Sequence, residues 1–387
     1  MKGKILILGG DGYLGWPTAM HLSNTGYQVT VVDNYLKRCI SNKLGIRPLR
    51  SCPDLEERTR IWRIFTEHDI QAYIGDIGDH DFLYRTIRKF EPDTIIHYGE
   101  IASAPYSMFN YRASWETIQN NLKATLTIMD IIRRTNPEIH LIKLGTMGEY
   151  GTPNIDIEEG FIDIEKNNRR DRLPFPKLPG SFYHLSKVQD SDMLYLGVRL
   201  WGLRITELNQ GPVYGIETDE SKFDNEGRLM PHFYYDEFWG TVINRFITQA
   251  VIGIPLTIYG RGGQKRGFIN IIDTLKCIRL AIQNLPDKNE FRVMNQFTEI
   301  FSVFELAEKI KIAAENLGLD VTVQNYPNPR KEAEDHYYNA KNTNLLSLGL
   351  QPKYLTEDVI AGMLEIVMRN KRDINHDIII TGRAKWI

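Results

Sequence analysis

A glycine turn wedged between two apolar runs constrains this chain most. Ile5-Leu6-Ile7-Leu8 leads into Gly9-Gly10-Asp11-Gly12-Tyr13-Leu14-Gly15, a helical stretch follows to about Thr25, and Val29-Thr30-Val31-Val32-Asp33 comes next. Short apolar runs bounded by glycine, with a helical period between them, make a βαβ unit. A turn in that position aims its backbone N–H groups and the helix N-terminus at a pyrophosphate. The same glycines would serve a plain strand-to-helix connection; the βαβ setting is what selects a dinucleotide. Asp33 stands 18 residues beyond Gly15 at a strand end. A carboxylate there accepts hydrogen bonds from an adenosine ribose and repels a 2′-phosphate, so the expected cofactor is NAD. Asn34, Lys37 and Arg38 lie close behind, and either cation can pair with a phosphate, cover the adenine or point to solvent. Asp76, with Ile77 beside it, follows the third strand and reads either as an adenine contact or as a turn aspartate.

The pattern recurs in apolar runs at 72–76, 94–97 and 140–144, with amphipathic helical segments near 79–90 and 116–135. Strands that read as near-continuous apolar runs belong to a buried parallel sheet. The fold class expected is therefore α/β, a Rossmann-like doubly wound parallel sheet over residues 1–203, with a smaller, interleaved substrate-binding lobe in 204–387. Strand candidates at 204–208 and 256–259 and a helix from 303 to about 317 belong to that second part. Residues 151–182 are polar and rich in Gly, Pro, Asp and Glu. So long a loop in a compact domain is usually functional, and this one is expected near the active site.

Tyr183-His184-Leu185-Ser186-Lys187 puts Tyr and Lys four residues apart, on one face of a helix. A phenol ordinarily stays protonated at neutrality, and lowering its pKa by ~3 units takes about 4 kcal/mol, which an adjacent ammonium and a cationic nicotinamide ring can supply. Thr146, at the end of the run before it, adds a hydroxyl for the same substrate oxygen.

With the glycine turn, Asp33, Asn121, Thr146, Tyr183, Lys187 and Asn209-Gln210-Gly211-Pro212-Val213-Tyr214-Gly215 in place, the chain resembles the extended short-chain dehydrogenase/reductases, the nucleotide-sugar epimerases and dehydratases. Longer blocks narrow the resemblance. They are Gly9 to Trp16, Ser103-Ala104-Pro105-Tyr106-Ser107-Met108, the segment 144–160, Ser181 to Lys187, and Pro327-Asn328-Pro329-Arg330 with 336–340. These are similar to the branch that converts UDP-glucose and sulfite to UDP-sulfoquinovose, an activity carrying with it a hydrolase class label. The resemblance implies C4 oxidation by bound NAD, loss of the C6 hydroxyl, sulfite addition at C6 and re-reduction of C4. It places Gly99, Asn121 and Val213 with the cofactor contacts. It also implies a homodimer or higher homo-oligomer, with two long helices from each subunit (here 116–135 and 186–200) forming a four-helix bundle. The ordinary dehydratases carry an Asp-Glu pair right after the threonine, where this chain has Met147-Gly148. Glu149 and His184 are the nearest titratable substitutes for the C5 proton, each with a bland alternative as a strand-end carboxylate or a backbone-capped histidine. Where the branch commonly reads G-E-Q-R, this chain reads Gly99-Glu100-Ile101-Ala102, without the arginine.

A diphosphate in a buried site needs cationic partners. Arg266, in a stretch similar to the family's diphosphate contact, Arg245 and Arg330 are the candidates; Asn209, Gln210, Thr241 and Tyr259 add polar contacts to the nucleotide sugar. The competing readings are a UDP-glucose 4-epimerase or 4,6-dehydratase, and a catalytically silent NAD-binding scaffold.

With 47 basic against 49 acidic residues, a net charge of -2 offers nothing to nucleic acid or to an anionic membrane. No apolar run approaches the roughly 18 residues of a membrane span. The start Met1-Lys2-Gly3-Lys4 leaves no room for a leader before the first strand, and Cys39, Cys52 and Cys277 lie far apart. The expectation is a cytoplasmic protein with reduced thiols and no metal site.

Overall fold

The computed structural model describes residues 2–330, 336–380, 382–383 and 386. Seven strands form its central sheet: β1 Lys4–Leu8, β2 Gln28–Asp33, β3 Ile70–Ile74, β4 Thr94–His97, β5 His140–Thr146, β6 Arg204–Gln210 and β7 Phe291–Gln296. They lie in the order β7-β6-β5-β4-β1-β2-β3, all parallel. The order reverses between β1 and β4, which is where such sheets open a crevice at their carboxyl ends. Side chains alternate along each strand, so Ile5 and Ile7 pack into one core with Trp16, Trp62 and Ile278, while Leu6 and Leu8 pack into the opposite one with Ile87, Ile128 and Val198. Both faces are buried, and the strands accordingly read as continuous apolar runs.

Three helices matter for the site: α1 (Gly15–Asn24), α2 (Tyr111–Thr135) and α3 (Phe182–Trp201). The Asn110 side chain caps α2 by accepting from Ala113 N at 2.9 Å, which starts the helix five residues before the segment expected from periodicity. Ser181 caps α3 by accepting from His184 N at 3.1 Å, and Gly202 ends it with φ +64°. A capping hydroxyl at that point fixes Tyr183 and His184 in the first turn.

The chain crosses between layers more than once. The strands β6 and β7 come from the C-terminal half, while helices Val242–Ile252, Val303–Asn316 and Glu357–Arg369 enclose a separate apolar core. Two local expectations shift. The third strand ends at Ile74, because Gly75 N bonds back to Asp33 O at 3.0 Å and Asp76 opens a turn. The 151–182 loop contains an antiparallel hairpin, Phe161–Lys166 with Arg169–Pro174. Its turn is Asn167-Asn168, both at positive φ, the conformation a two-residue hairpin turn demands and asparagine tolerates. No helix among the described residues is long and apolar enough to cross a membrane. No group of three or more His, Cys, Asp or Glu among them can hold a metal ion.

Candidate active site

A cavity of about 770 Å³ runs along the carboxyl ends of the strands, from the glycine turn past Thr146, Tyr183 and His184 to Arg245, Arg266 and Arg330. Its near end is built by backbone. Gly9 has φ +88°, and a Cβ there would lie 2.7 Å from Gly99 N; a Cβ on Gly15 would lie 2.0 Å from Gly9 O. Only glycine allows this close approach, and it leaves the α1 N-terminus open to the cavity, an arrangement that suits a pyrophosphate. Gly9, Asp11, Gly12, Tyr13, Leu14, Gly15, Asn34, Ile77, Gly99 and Val213 line this end with Asp33. The Asp33 carboxylate accepts from Asp11 N at 2.9 Å and Tyr35 N at 2.7 Å. Burial, with the Asp11 charge, raises its pKa to about 6. Arg38 does not offer its charge to a phosphate: Asp11 holds its guanidinium through two bonds of 2.6 Å. Lys37 sits 4.3 Å from the Tyr234 ring centroid and 4.9 Å from that of Trp239. These residues fit NAD, with a carboxylate at the ribose position and the neighbouring arginine already paired.

Thr146, Tyr183 and Lys187 meet at the middle of the cavity. Thr146 ends β5, and its Oγ1 accepts from Gly148 N at 3.2 Å. Lys187 Nζ lies 5.8 Å from the centroid of the Tyr183 ring. An adjacent ammonium is expected to lower the Tyr183 pKa; in the protein alone burial raises it well above the ordinary range, against the Lys143 charge and a hydrogen bond with Thr146. The difference has a physical cause: the Lys187 ammonium is engaged by Glu100 and the Leu144 carbonyl, and burial of the phenol outweighs what remains.

His184 lines the cavity, whereas Glu149 does not. The Glu149 carboxylate is fully buried below the site, accepting from Thr146 N at 3.1 Å and from Lys177 Nζ at 2.5 Å. Burial, with Glu207 nearby, raises its pKa to about 7 against the Lys177 charge. Its place is therefore a structural clamp on the turn after β5, out of reach of a ligand in the cavity. His184 is held neutral, its pKa pushed down to about 3 by burial first and then by Arg330 and Arg266. Its Nδ1 has no hydrogen-bond partner. Its ring fills the space beside Gly148, where a Cβ would stand 2.4 Å from Nε2.

At the far end, Arg245 is buried, its guanidinium 5.3 Å from the Tyr259 ring centroid and its Nε without a partner. A buried arginine with an unanswered donor in a cavity wall suits an anionic ligand. Arg266 Nη1 donates to Lys265 O at 2.7 Å, and Arg330 stacks 4.8 Å from the Trp386 ring centroid. Gln210, Thr241 and Tyr259 also line the cavity.

Four other expected contacts stay out of the cavity. Gly10 packs on Val31, where a Cβ would lie 2.4 Å from the Val31 Cβ. Asp76 accepts from Gly78 N at 2.8 Å, the turn alternative. Asn121 ties α2 to α3, accepting from Ile101 N at 2.9 Å and donating to Ser186 Oγ at 3.0 Å. Asn209 Nδ2 donates to the Tyr150 hydroxyl at 2.8 Å beneath β5. Conversely, Glu100, Lys143 and Asp190, which belong to no expected motif, form a buried charge cluster beside Lys187. A lysine inside the apolar run Leu141-Ile142-Lys143-Leu144 was the available signal, since a buried charge requires a partner. Ala102, at the position of the branch's arginine, lines the cavity.

The model of the NAD dependent epimerase/dehydratase family matches residues 5–295. The chain is 49% identical over 368 residues to the chloroplastic UDP-sulfoquinovose synthase of Spinacia oleracea, covering 95% of this chain and 76% of that protein. It is 41% identical over 385 residues to the UDP-sulfoquinovose synthase of Sulfolobus acidocaldarius, covering 99% and 97%. Among solved structures, UDP-glucose 4-epimerase from Bifidobacterium longum in complex with NAD+ and UDP superimposes with a TM-score of 0.71 at 20% identity, over 96% of this chain and all of the other. That last likeness is one of fold.

Proposed function

The chain belongs to the NAD dependent epimerase/dehydratase family and, within it, to the UDP-sulfoquinovose synthases, and from that premise we propose how its site divides the work. The enzyme is NAD-dependent, and bound NAD supplies the reversible two-electron acceptor for C4 of the hexose. The residues around Asp33 and the glycine turn hold that cofactor, with Lys187 reaching its nicotinamide end. Residues 1–203 mainly carry the cofactor and 204–387 mainly the nucleotide sugar, whose diphosphate lies against Arg245, Arg266 and Arg330. UDP-glucose and sulfite are the substrates.

Tyr183, with Thr146 on the same oxygen, takes the O4 proton as C4 becomes a ketone. The ketone acidifies the C5 proton, and neutral His184 removes it. The same imidazolium returns that proton to the departing O6, so the C6–O bond breaks and water leaves an enone. Hydrogensulfite forms the C–S bond at C6 and yields its proton to C5; C4 is then restored. Nothing is oxidised overall, and one water is released while none is consumed, so the hydrolase label finds no support. The observation that carries this reading is the His184 ring in the space beside Gly148, where the dehydratases place a glutamate. Mass spectrometry on protein with NAD, UDP-glucose and sulfite is expected to find a sulfonated UDP-hexose. UDP-galactose or a 4-keto-6-deoxy sugar formed without sulfite would instead support the epimerase or dehydratase reading.

Tyr111, Trp115 and Leu126 on α2 and Leu196 and Leu200 on α3 are exposed, which supports a homodimer through these helices. Light scattering at twice the chain mass is the expected result. Cys39, Cys52 and Cys277 are free thiols, in keeping with a reducing compartment, and we place the enzyme in the cytoplasm.

A further inference from the structure

Beside the cavity one carboxylate bridges two ammonium groups. Glu100 Oε1 accepts from Lys143 Nζ at 2.6 Å, and Oε2 accepts from Lys187 Nζ. Lys143 Nζ also donates to Asp190 Oδ2 at 3.0 Å, and Lys187 Nζ to the Leu144 carbonyl at 2.5 Å. The four charged side chains are at most 3% exposed. Desolvation offsets most of the attraction in such a cluster, so stability alone does not account for it. The four come from three places: Glu100 from the loop after β4, Lys143 from β5, and Lys187 and Asp190 from one face of α3.

A lysine ammonium has three donors and no acceptor. Two of those on Lys187 are spent on fixed acceptors, the Glu100 carboxylate and the Leu144 carbonyl, so the third has one direction left. Glu100, Lys187 and Tyr183 all line the cavity. We infer that Glu100, buttressed by Lys143, is a positioning residue that aims the Lys187 ammonium at the nicotinamide end of the cofactor and at the Tyr183 phenol. This deepens the proposed function and rests on it.

Other ionisable groups face the cluster. His97 from β4 lies 3.9 Å from Glu100 and is held neutral by burial and by both lysines. Burial lowers the Lys187 pKa to about 8, against the charges of Asp190 and of Glu207 on β6. Glu149 and Asp190 oppose ionisation of Tyr183, and Lys143 favours it. A charge change at 143 therefore reaches the phenol directly, and one at 100 acts through Lys143 and Lys187, which Glu100 holds.

Two readouts test this: the dissociation constant of NAD by calorimetry, and the pH profile of nicotinamide reduction on adding UDP-glucose, whose acid limb reports Tyr183. Glu100→Gln is expected to weaken NAD binding about tenfold and to move the acid limb down by about one pH unit, because a negative charge has left the cluster. Lys143→Met is expected to move the limb up by a similar amount. The charge-balanced double variant is expected to restore the limb to within a few tenths of a unit while NAD binding stays weak. Folded single variants with the wild-type limb and wild-type NAD affinity overturn the inference. Where a single variant fails to fold, the double decides: weakened NAD binding supports the aiming role and wild-type affinity refutes it. Should the wild type reduce no nicotinamide at all, the proposed function fails, and the NAD affinities still judge the role of Glu100.

Discussion

Gly148→Ala probes the proton at C5 with a single methyl group. The backbone there is not in the left-handed region, so alanine brings no conformational strain and acts through space alone. Its Cβ would stand 2.4 Å from His184 Nε2 and 2.5 Å from Cδ2, and the ring must withdraw by about 1 Å to restore ordinary contact. A misplacement of about 1 Å costs on the order of 10²-fold in a positioned step, within the roughly 10²–10⁴-fold that a general base contributes. Thr146, Tyr183 and Lys187 do not move, so C4 oxidation should keep its rate within a few-fold. The assay uses heavy water, NAD and UDP-glucose without sulfite, following deuterium at C5 by mass spectrometry and nicotinamide reduction by absorbance. Deuterium uptake is expected to fall about 100-fold while reduction persists. In a His184→Ala background, where no ring occupies the space, adding Gly148→Ala should cost nothing further. Wild-type exchange in Gly148→Ala, or an equal loss of both steps, refutes the assignment of His184 to the C5 proton.

Arg245→Met removes a buried cation whose Nε has no protein partner; losing its charge-assisted bonds, about 1.5–3 kcal/mol, should weaken UDP binding roughly 10- to 150-fold by calorimetry. An unchanged dissociation constant would take Arg245 out of the diphosphate site. Lys177→Met strips Glu149 of the cation 2.5 Å away and should cost about 3–5 kcal/mol in urea unfolding, with Glu149→Gln in the same background recovering part of it. No loss on Lys177→Met would show that the clamp is idle. His140, bonded to Thr206 at 2.8 Å, has its pKa lowered to about 3 by burial first. The unfolded chain therefore binds an extra proton from about pH 6.5 down to about pH 3, and this histidine removes about 1.4 kcal/mol of stability per pH unit as acidity rises across that window. His140→Gln should flatten the slope of stability against pH by that amount, and parallel slopes would exclude it.

The sequence alone determined the parallel sheet, the glycine turn with Asp33, and the Thr146, Tyr183 and Lys187 set. Each rests on short-range rules: the continuous apolar runs of β1 and β2, buried on both faces, a close approach only Gly9 and Gly15 permit, and one helical turn between Tyr183 and Lys187. Comparable local signals went unread in the Asn167-Asn168 turn and in the lysine inside β5. Tertiary structure decided what the side chains face. Glu149 and His184 are both near Thr146 along the chain or in space, but the turn after β5 directs the carboxylate inward to Lys177, while the first turn of α3 presents the imidazole to the cavity. Asn121 and Asn209, expected at the cofactor and the nucleotide sugar, spend their amides on Ile101, Ser186 and Tyr150. The Lys187 ammonium meets a carboxylate 87 residues away. Such pairings depend on which strand ends the doubly wound sheet brings together, and no periodicity within a window of the chain encodes that.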